Sequence, residues 1–326
     1  MRIVSLFSGA GGLDLGFEKA GFCSVWANEY DKTIWVTYEK NFPKVKLDKR
    51  SITRVTFNEI PDCDGIIGGP PCQSWSEGGA QRGIDDDRGK LFLDYIRILK
   101  EKKPKFFLAE NVGGMLQPKH ETAFKNFLNE FINAGYEISW KLIDAFDYGI
   151  PQNRKRVIIV GYRKDLGKRF EFSQSVFEKK YIKHAIWDLG EATPAKYKNK
   201  ANDNLSIANH EYMTGGFSSI YMARNRVRDW DEPSFTIQAG GRHAPIHPKA
   251  PKMVFVEQDK RIFKPGFEHE YRRLTVRECA RIQTFPDEFV FIYSDIADGY
   301  KMVGNAVPVE LARVLAQKIR EDLFND

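Results

Sequence analysis

Residues 3–20 read IVSLFSGAGGLDLGFEKA. An apolar, β-prone run ends in a cluster of glycines. Apolar residues then recur near the helical period. A strand, a tight turn and a helix therefore follow one another. Glycine lets the backbone turn sharply and approach a ligand, and the free amides of the helix start favour a negative group. Glu29 lies 20 residues past Gly9, at the end of the next strand candidate. A carboxylate there can accept hydrogen bonds from both ribose hydroxyls of a nucleoside cofactor. The dinucleotide fingerprint asks for a third glycine where this chain has Asp14, which argues against NAD. A nucleoside bearing a carboxylate, such as S-adenosylmethionine, fits better. By itself the turn is equally compatible with no ligand.

Outward from this stretch the alternation continues. Ser24–Ala27, Gly65–Gly68, Phe106–Ala109 and Val157–Gly161 are further strand candidates beside Ile3–Phe7. Leu13–Ala20, Lys32–Lys40, Leu91–Lys100 and Ala123–Asn133 carry helical spacing. Strands alternating with helices predict an α/β fold, a mostly parallel sheet with helices on both faces. After about Tyr162 the texture changes to short aromatic and β-branched runs broken by Lys, Asn, Gly and Pro. Helical character returns at Leu274, where Thr275 and Glu278 have capping-box spacing. Val309–Leu323 reads as a final helix. The expected domains are 1–165, a smaller irregular or β-rich domain over 166–270, and a return over 271–326 to pack on the first part.

The chain has 326 residues, 42% of them apolar, which is enough for a packed core. Its net charge of +6 permits a polyanionic partner without demanding one. Cys23, Cys63, Cys72 and Cys279 lie far apart, with no CxxC pair and no metal-ligand spacing. That predicts neither a disulfide framework nor a metal site. With no signal-peptide or membrane-spanning pattern, a cytoplasmic protein is expected.

The motif GGPPCQSWSEGG, residues 68–79, follows the third of these strands. Prolines stiffen the approach to Cys72, and the Gly- and Asp-rich segment Ser74–Lys90 could cover a substrate. Carboxyl ends of parallel strands are where open α/β sheets bind ligands. A thiol mounted there reads as a nucleophile, against the common alternative of a buried structural cysteine. Phe106–Val112 sets Glu110 and Asn111 at the next strand end, facing the same cleft. Arg154 and Arg156 alternate before a strand and could supply positive potential that ionises the thiol. Alone, each of these has an ordinary reading as a strand-end carboxylate or a solvated basic edge.

Together they do not. FSGAGG, ANEYD, GGPPCQSW, AENV, QNRKR, RRLTVRECARIQTFP and GNAVP occur in that order. The order resembles the DNA cytosine-5 methyltransferases, with residues 170–270 in the place of their target-recognition domain. Asn209–Tyr212, Arg224–Trp230 and His247–Pro251 resemble the recognition segment of the HaeIII-type enzymes, which modify the inner cytosine of GGCC. The resemblance implies a Rossmann-like methyltransferase domain using S-adenosylmethionine. It further implies a bacterial restriction–modification setting with a cognate endonuclease, and a monomer acting on duplex DNA. It makes Cys72 the nucleophile, Glu110 the group that binds and protonates cytosine N3, and Arg156 a contact to the cytosine carbonyl. Phe7, Gly9, Gly11, Gly12, Glu29, Tyr30 and Ile52 would hold the cofactor, with Asn305 near its methionine end. One position departs: the family usually has Asp before Ile after its third strand, where this chain has Ser51 before Ile52. Ser51, Asp48 or a water would then meet the adenine amino group.

The chemistry accounts for these residue types. Cytosine C5 becomes nucleophilic once a thiolate adds to C6, and proton donation to N3 eases that addition. Both ring faces are stacked in a duplex, so the base must be turned out to react. Arg224, Arg226, Arg228 and Arg242 stand among aromatic and Gly residues in the small domain. Guanidinium forks pair with guanine O6 and N7, with Arg226, Arg228 and Arg242 the preferred readers. A transfer-RNA cytosine methyltransferase shares the motif order but has a shorter recognition segment. A catalytically silent DNA-binding regulator would not need the thiol, carboxylate and arginine motifs together. A thiol-redox enzyme would want a second cysteine near Cys72.

Overall fold

The structure, a computed structural model, describes residues 1–70, 87–173, 177–202 and 204–324. The chain forms two compact units. The first is Met1–Asp144, Lys155–Ser175 and Val309–Asp326; the second is Ala145–Arg154 and Val176–Pro308.

The first unit is built on a seven-stranded sheet: β1 (Arg2–Leu6), β2 (Cys23–Asn28), β3 (Lys46–Asp48), β4 (Gly65–Gly68), β5 (Phe106–Val112), β6 (Tyr136–Asp144) and β7 (Lys155–Arg163). Their order is β3-β2-β1-β4-β5-β7-β6. The strands β1 to β5 pair in parallel, and β7 runs antiparallel to both β5 and β6. The chain winds outward from β1 through β2 to β3, then returns to start β4 on the other side of β1. That reversal opens a crevice at the carboxyl ends of β1 and β4, the usual ligand position of such sheets. The expected mostly parallel α/β sheet is present. Each predicted strand is found, several of them longer by a few residues, and β3 and β6 are additional.

Helices α1 (Gly12–Lys19), α2 (Trp35–Asn41), α3 (Asp87–Lys102) and α4 (Glu121–Asn133) belong to this unit, together with the final helix Val309–Phe324. Central strands covered on both faces must be apolar along their length. All four residues of β4 are buried, as are Phe106–Ala109 of β5 and Val157–Val160 of β7. On one face Phe107 stacks on Phe131 of α4 at 4.4 Å between ring centroids. On the other, Phe106 lies against Phe17 of α1 and Phe324 of the final helix, at 6.1 and 6.3 Å. The final helix meets α1 at Gly16. A Cβ there would lie 2.4 Å from the Cβ of Ala312 and 2.6 Å from the carbonyl oxygen of Val309.

The second unit has little regular structure. Among the described residues its strands pair only in two-stranded ladders, Val254–Glu257 with Lys260–Ile262 and Thr193–Pro194 with Glu211–Tyr212. Its helices are Ile182–Ile186, Ser219–Met222, Val276–Ile282 and Ile296–Asn305. The predicted capping box forms: the Thr275 hydroxyl accepts from the Glu278 amide, and the Glu278 carboxylate accepts from the Thr275 amide.

The units depart from the expected boundaries. Residues 271–308 group with the second unit rather than returning to the first. Backbone pairing explains this. The His247 amide donates to the Arg272 carbonyl at 2.9 Å, and the Leu274 amide to that of Pro245 at 2.8 Å. Ile246 also bridges Arg273. Only the final helix returns. Residues 145–154 join the second unit from the first half of the chain, with the Ser234 amide donating to the Pro151 carbonyl at 2.9 Å. Replacing Gly16 by Val should lower the unfolding free energy by about 1–3 kcal/mol through overpacking against backbone that cannot retreat. The midpoint of urea unfolding measures this.

Candidate active site

The glycine turn follows β1 directly. Phe7 has φ 54°, Gly9 φ 54° and Gly11 φ 94°, so three residues of the turn are left-handed. For a bulky residue such as Phe7 that conformation is strained, and strain of this kind clusters at ligand sites. The Ser8 amide donates to the Asn28 carbonyl at 3.1 Å, tying the turn to the end of β2. Glu29, the next residue, accepts from the Gly9 amide at 2.9 Å and the Asp31 amide at 2.7 Å, one on each carboxylate oxygen. Burial raises its pKa while these amides pull it back down. Each oxygen keeps acceptor capacity, since a carboxylate has about four lone-pair sites.

Among the described residues, a Cβ on Gly9 would meet nothing within 4 Å, and Gly9 stands beside an acceptor set suited to ribose hydroxyls. Trp35 donates its indole N–H to the Glu29 carbonyl at 2.8 Å, and Tyr30 is exposed. The residues fit a nucleoside.

The loop after β3 is held by Asn28 and Arg50, neither of them among the sequence candidates. Asn28, buried at the end of β2, donates its side-chain amide to the carbonyls of Asp48 at 3.0 Å and Arg50 at 2.8 Å. The Asp48 carboxylate is taken up by the Arg50 guanidinium at 2.6 Å, which lowers its pKa. Arg50 also pairs with Glu59 at 2.9 Å. Asp48, one of the candidates for the missing Asp contact, is thus occupied by Arg50. Ser51 shares a hydrogen bond with Thr53 at 2.9 Å, and Ile52 is buried. A polar Asn ending an apolar strand, just before the acidic Glu29, was the available signal for the role of Asn28.

Glu110 stands near the end of β5, almost fully buried. In the β5–β7 register Glu110 faces Ile158, and Arg156 faces Val112. Arg156 is therefore the diagonal neighbour of Glu110 on one face. Its Nε lies 2.8 Å from the Glu110 carboxylate. A Cβ on Gly69 would lie 3.3 Å from Glu110 Oε2. Asn111 donates to the Pro70 carbonyl at 3.3 Å. The chain running toward Cys72 thus leaves β4 beside Glu110. Cys72 itself lies outside the described residues, as does most of the expected cover Ser74–Lys90.

Arg154 differs from Arg156. It is buried in the second unit, donating to the carbonyls of Ile237 at 2.9 Å, Gly304 at 2.8 Å and Ala306 at 2.9 Å. It ties the Ile237 carbonyl to two at the carboxyl end of the helix Ile296–Asn305. Asn305 is exposed at the end of its helix in that same unit.

The four recognition candidates divide. Arg224 and Arg242 are exposed. Arg226 donates to the Tyr221 carbonyl at 2.8 Å and lies over the Tyr221 ring. Arg228 pairs with Glu232 at 2.8 Å and lies over Phe235. Arg242 lines a groove of about 770 Å³ together with Lys198, His243 and Arg273. Arg273 was not foreseen. Its guanidinium sits 4.0 Å from the centre of the Phe217 ring and donates to the carbonyls of Gly215 and Gly216. A larger groove of about 1170 Å³ lies in the first unit between α4, β6 and residues 169–173. Several of its cations are already paired, Lys125 with Glu121 and Arg169 with Glu137.

The mostly parallel sheet, with a glycine turn after β1 bonded to Glu29, is Rossmann-like. Residues 1–321 match the C-5 cytosine-specific DNA methylase family. The chain is 58% identical to the Type II methyltransferase M.FnuDI of Fusobacterium nucleatum, over 99% of this chain and 95% of that protein. It is also 58% identical to M.MthTI of Methanothermobacter thermautotrophicus, over 99% and 98%. The fold superimposes on the Entamoeba histolytica methyltransferase EhMeth with a TM-score of 0.73 and 19% identity, covering 100% of this chain and 99% of that one. The chain belongs to the C-5 cytosine-specific DNA methylase family and is a DNA cytosine-5 methyltransferase.

Arg154→Leu would leave three buried carbonyls without their donor. Its expected cost is on the order of 3 kcal/mol of unfolding free energy, measured by denaturant titration. Arg156→Lys keeps a charge beside Glu110 but loses the planar guanidinium fork, so it should cost about 1–3 kcal/mol, less than removing one partner of a buried pair.

Proposed function

We propose that the protein transfers the methyl group of S-adenosylmethionine to C5 of cytosine in duplex DNA through a transient bond between Cys72 and C6. The supporting observation is the convergence at the carboxyl ends of β4 and β5. Glu110 there pairs with Arg156 and stands beside Gly69 and Pro70, which lead to Cys72. The cofactor supplies an electrophilic sulfonium methyl. Phe7, Gly9, Gly11 and Gly12 shape its turn, Glu29 accepts its ribose hydroxyls, and Tyr30 and Ile52 flank its base. Asn305 is assigned to its methionine end on resemblance alone.

Cytosine is turned out of the duplex. The Cys72 thiolate adds to C6 while Glu110 donates a proton to, or shares one with, N3, and Arg156 binds the ring carbonyl. Methylation at C5 is followed by loss of the C5 proton to a base and expulsion of the thiolate. Glu110 starts as the partner of Arg156 and must exchange part of that contact for cytosine N3.

The second unit reads the sequence. The exposed Arg242, on a groove that also carries Lys198, His243 and Arg273, is suited to guanine. Arg224 is open to solvent, and Arg226 and Arg228 are braced on aromatic rings. The target we assign is the inner cytosine of GGCC, with protection against a cognate restriction endonuclease as the purpose. The Type II names of the relatives agree with that setting.

Incubation of a random-sequence duplex with the protein and S-adenosylmethionine, followed by mapping of every modified cytosine, tests the whole reading. Methylation confined to GGCC is expected. A different motif overturns the target assignment, and RNA methylation without DNA methylation overturns the substrate. Cys72→Ser should abolish turnover, and Glu110→Gln should lower kcat by about 10²-fold or more. An adduct through residue 72 should accumulate on a duplex carrying 5-fluorocytosine.

A further inference from the structure

Asp14 stands where the dinucleotide fingerprint would have its third glycine, and it is fully buried in the first turn of α1. Its carboxylate accepts from the Ser5 hydroxyl of β1 at 2.8 Å, the Ser24 hydroxyl of β2 at 3.4 Å and the Tyr38 hydroxyl of α2 at 2.8 Å. Three elements thus converge on one side chain of the helix that begins at the glycine turn. Among the described residues its side-chain partners are all hydroxyls. Glu18, one turn further along α1, adds a second negative charge.

Such an arrangement is costly for stability. Burial without a cation raises the pKa of Asp14 to about 6, above the unfolded value. The folded state then holds a proton that the unfolded state has released. Stability is fully present below the unfolded value and falls as pH rises toward 6. A neutral side chain of the same shape would escape that loss. The carboxylate therefore has a use other than holding the fold together.

Geometry gives that use. A carboxylate accepts only, so the hydroxyls of Ser5 and Tyr38, at 2.8 Å, must point inward, while the more distant Ser24 hydroxyl is shared with Glu18. That fixes the first turn of α1 relative to β1, α2 and the amino-terminal part of β2. The same stretch carries the strained Phe7, the left-handed Gly9 and Gly11 and the Gly9 amide bound to Glu29. Gly16 holds the next turn of α1 hard against the final helix, so α1 is clamped from both sides. We propose that Asp14 is a positioning residue for the cofactor turn, aligning the glycine amides and Glu29 for the nucleoside at the expense of stability. This rests on the assignment of that turn to S-adenosylmethionine.

The test uses the full chain at pH 7.5, reading equilibrium dialysis of S-adenosylmethionine, the melting temperature, and kcat at saturating cofactor. Asp14→Asn is expected to bind the cofactor about tenfold more weakly. It should melt no lower than the parent and keep kcat within about twofold. An Asn must turn one hydroxyl from donor to acceptor, which loosens the alignment. Tyr38→Phe, which removes one hydroxyl, should show a smaller loss of affinity. The fall in parent stability between about pH 4 and 6 should flatten in Asp14→Asn. Parent-like affinity in Asp14→Asn overturns the inference. So does a variant that fails to fold or melts well below the parent, because the side chain would then be a structural prop. A parent protein that binds no S-adenosylmethionine overturns the cofactor assignment itself.

Discussion

The antiparallel pairing of β5 with β7 is the constraint from which the geometry of the Glu110–Arg156 pair follows. Five parallel strands present their carboxyl ends along one edge. Reversing β7 brings its amino end to that edge. It sets Arg156, at the amino end of β7, diagonally opposite Glu110 near the carboxyl end of β5. A slip of one residue would turn every β7 side chain to the other face. Val157–Val160 would lose their apolar surroundings at the same time. The hydrophobic core therefore fixes the ion pair, and the ion pair needs no special device of its own.

Much of the first unit was legible. The glycine turn, Glu29 and the strand bearing Glu110 each sit at a switch between the two-residue and helical periods, where the sequence signal is sharpest. The strand β6 was not seen. Its sequence YEISWKLID carries Glu137 and Lys141, and as the last strand of the sheet it has one free edge. Edge strands tolerate charge and so lack the continuous apolar run that marks a central strand. The short β3 offers too few residues for any periodicity.

Arg154 and Arg156 show the limit of reading a motif as one object. Two residues apart on an extended segment, they invite a shared role. In the fold one binds the carbonyls of Ile237, Gly304 and Ala306 in the second unit, while the other pairs with Glu110. Spacing fixes which face a side chain takes but not which partners fold up against it. The boundary of the second unit was missed for the same reason. Its closure depends on pairing between residues 245–247 and 272–274, a contact between distant segments that local composition does not encode.

The division of the chain has a consequence for how this architecture diversifies. The polypeptide crosses between units at 144/145, 154/155, 175/176 and 308/309, so the second unit is no cassette that recombination can lift out by a single excision. A transplant confined to 176–308 would strand residues 145–154, whose backbone partners lie within it. With sequence reading assigned to the second unit as proposed, new preferences are more readily reached by point changes on its groove, or by exchanging both segments together, than by wholesale domain shuffling.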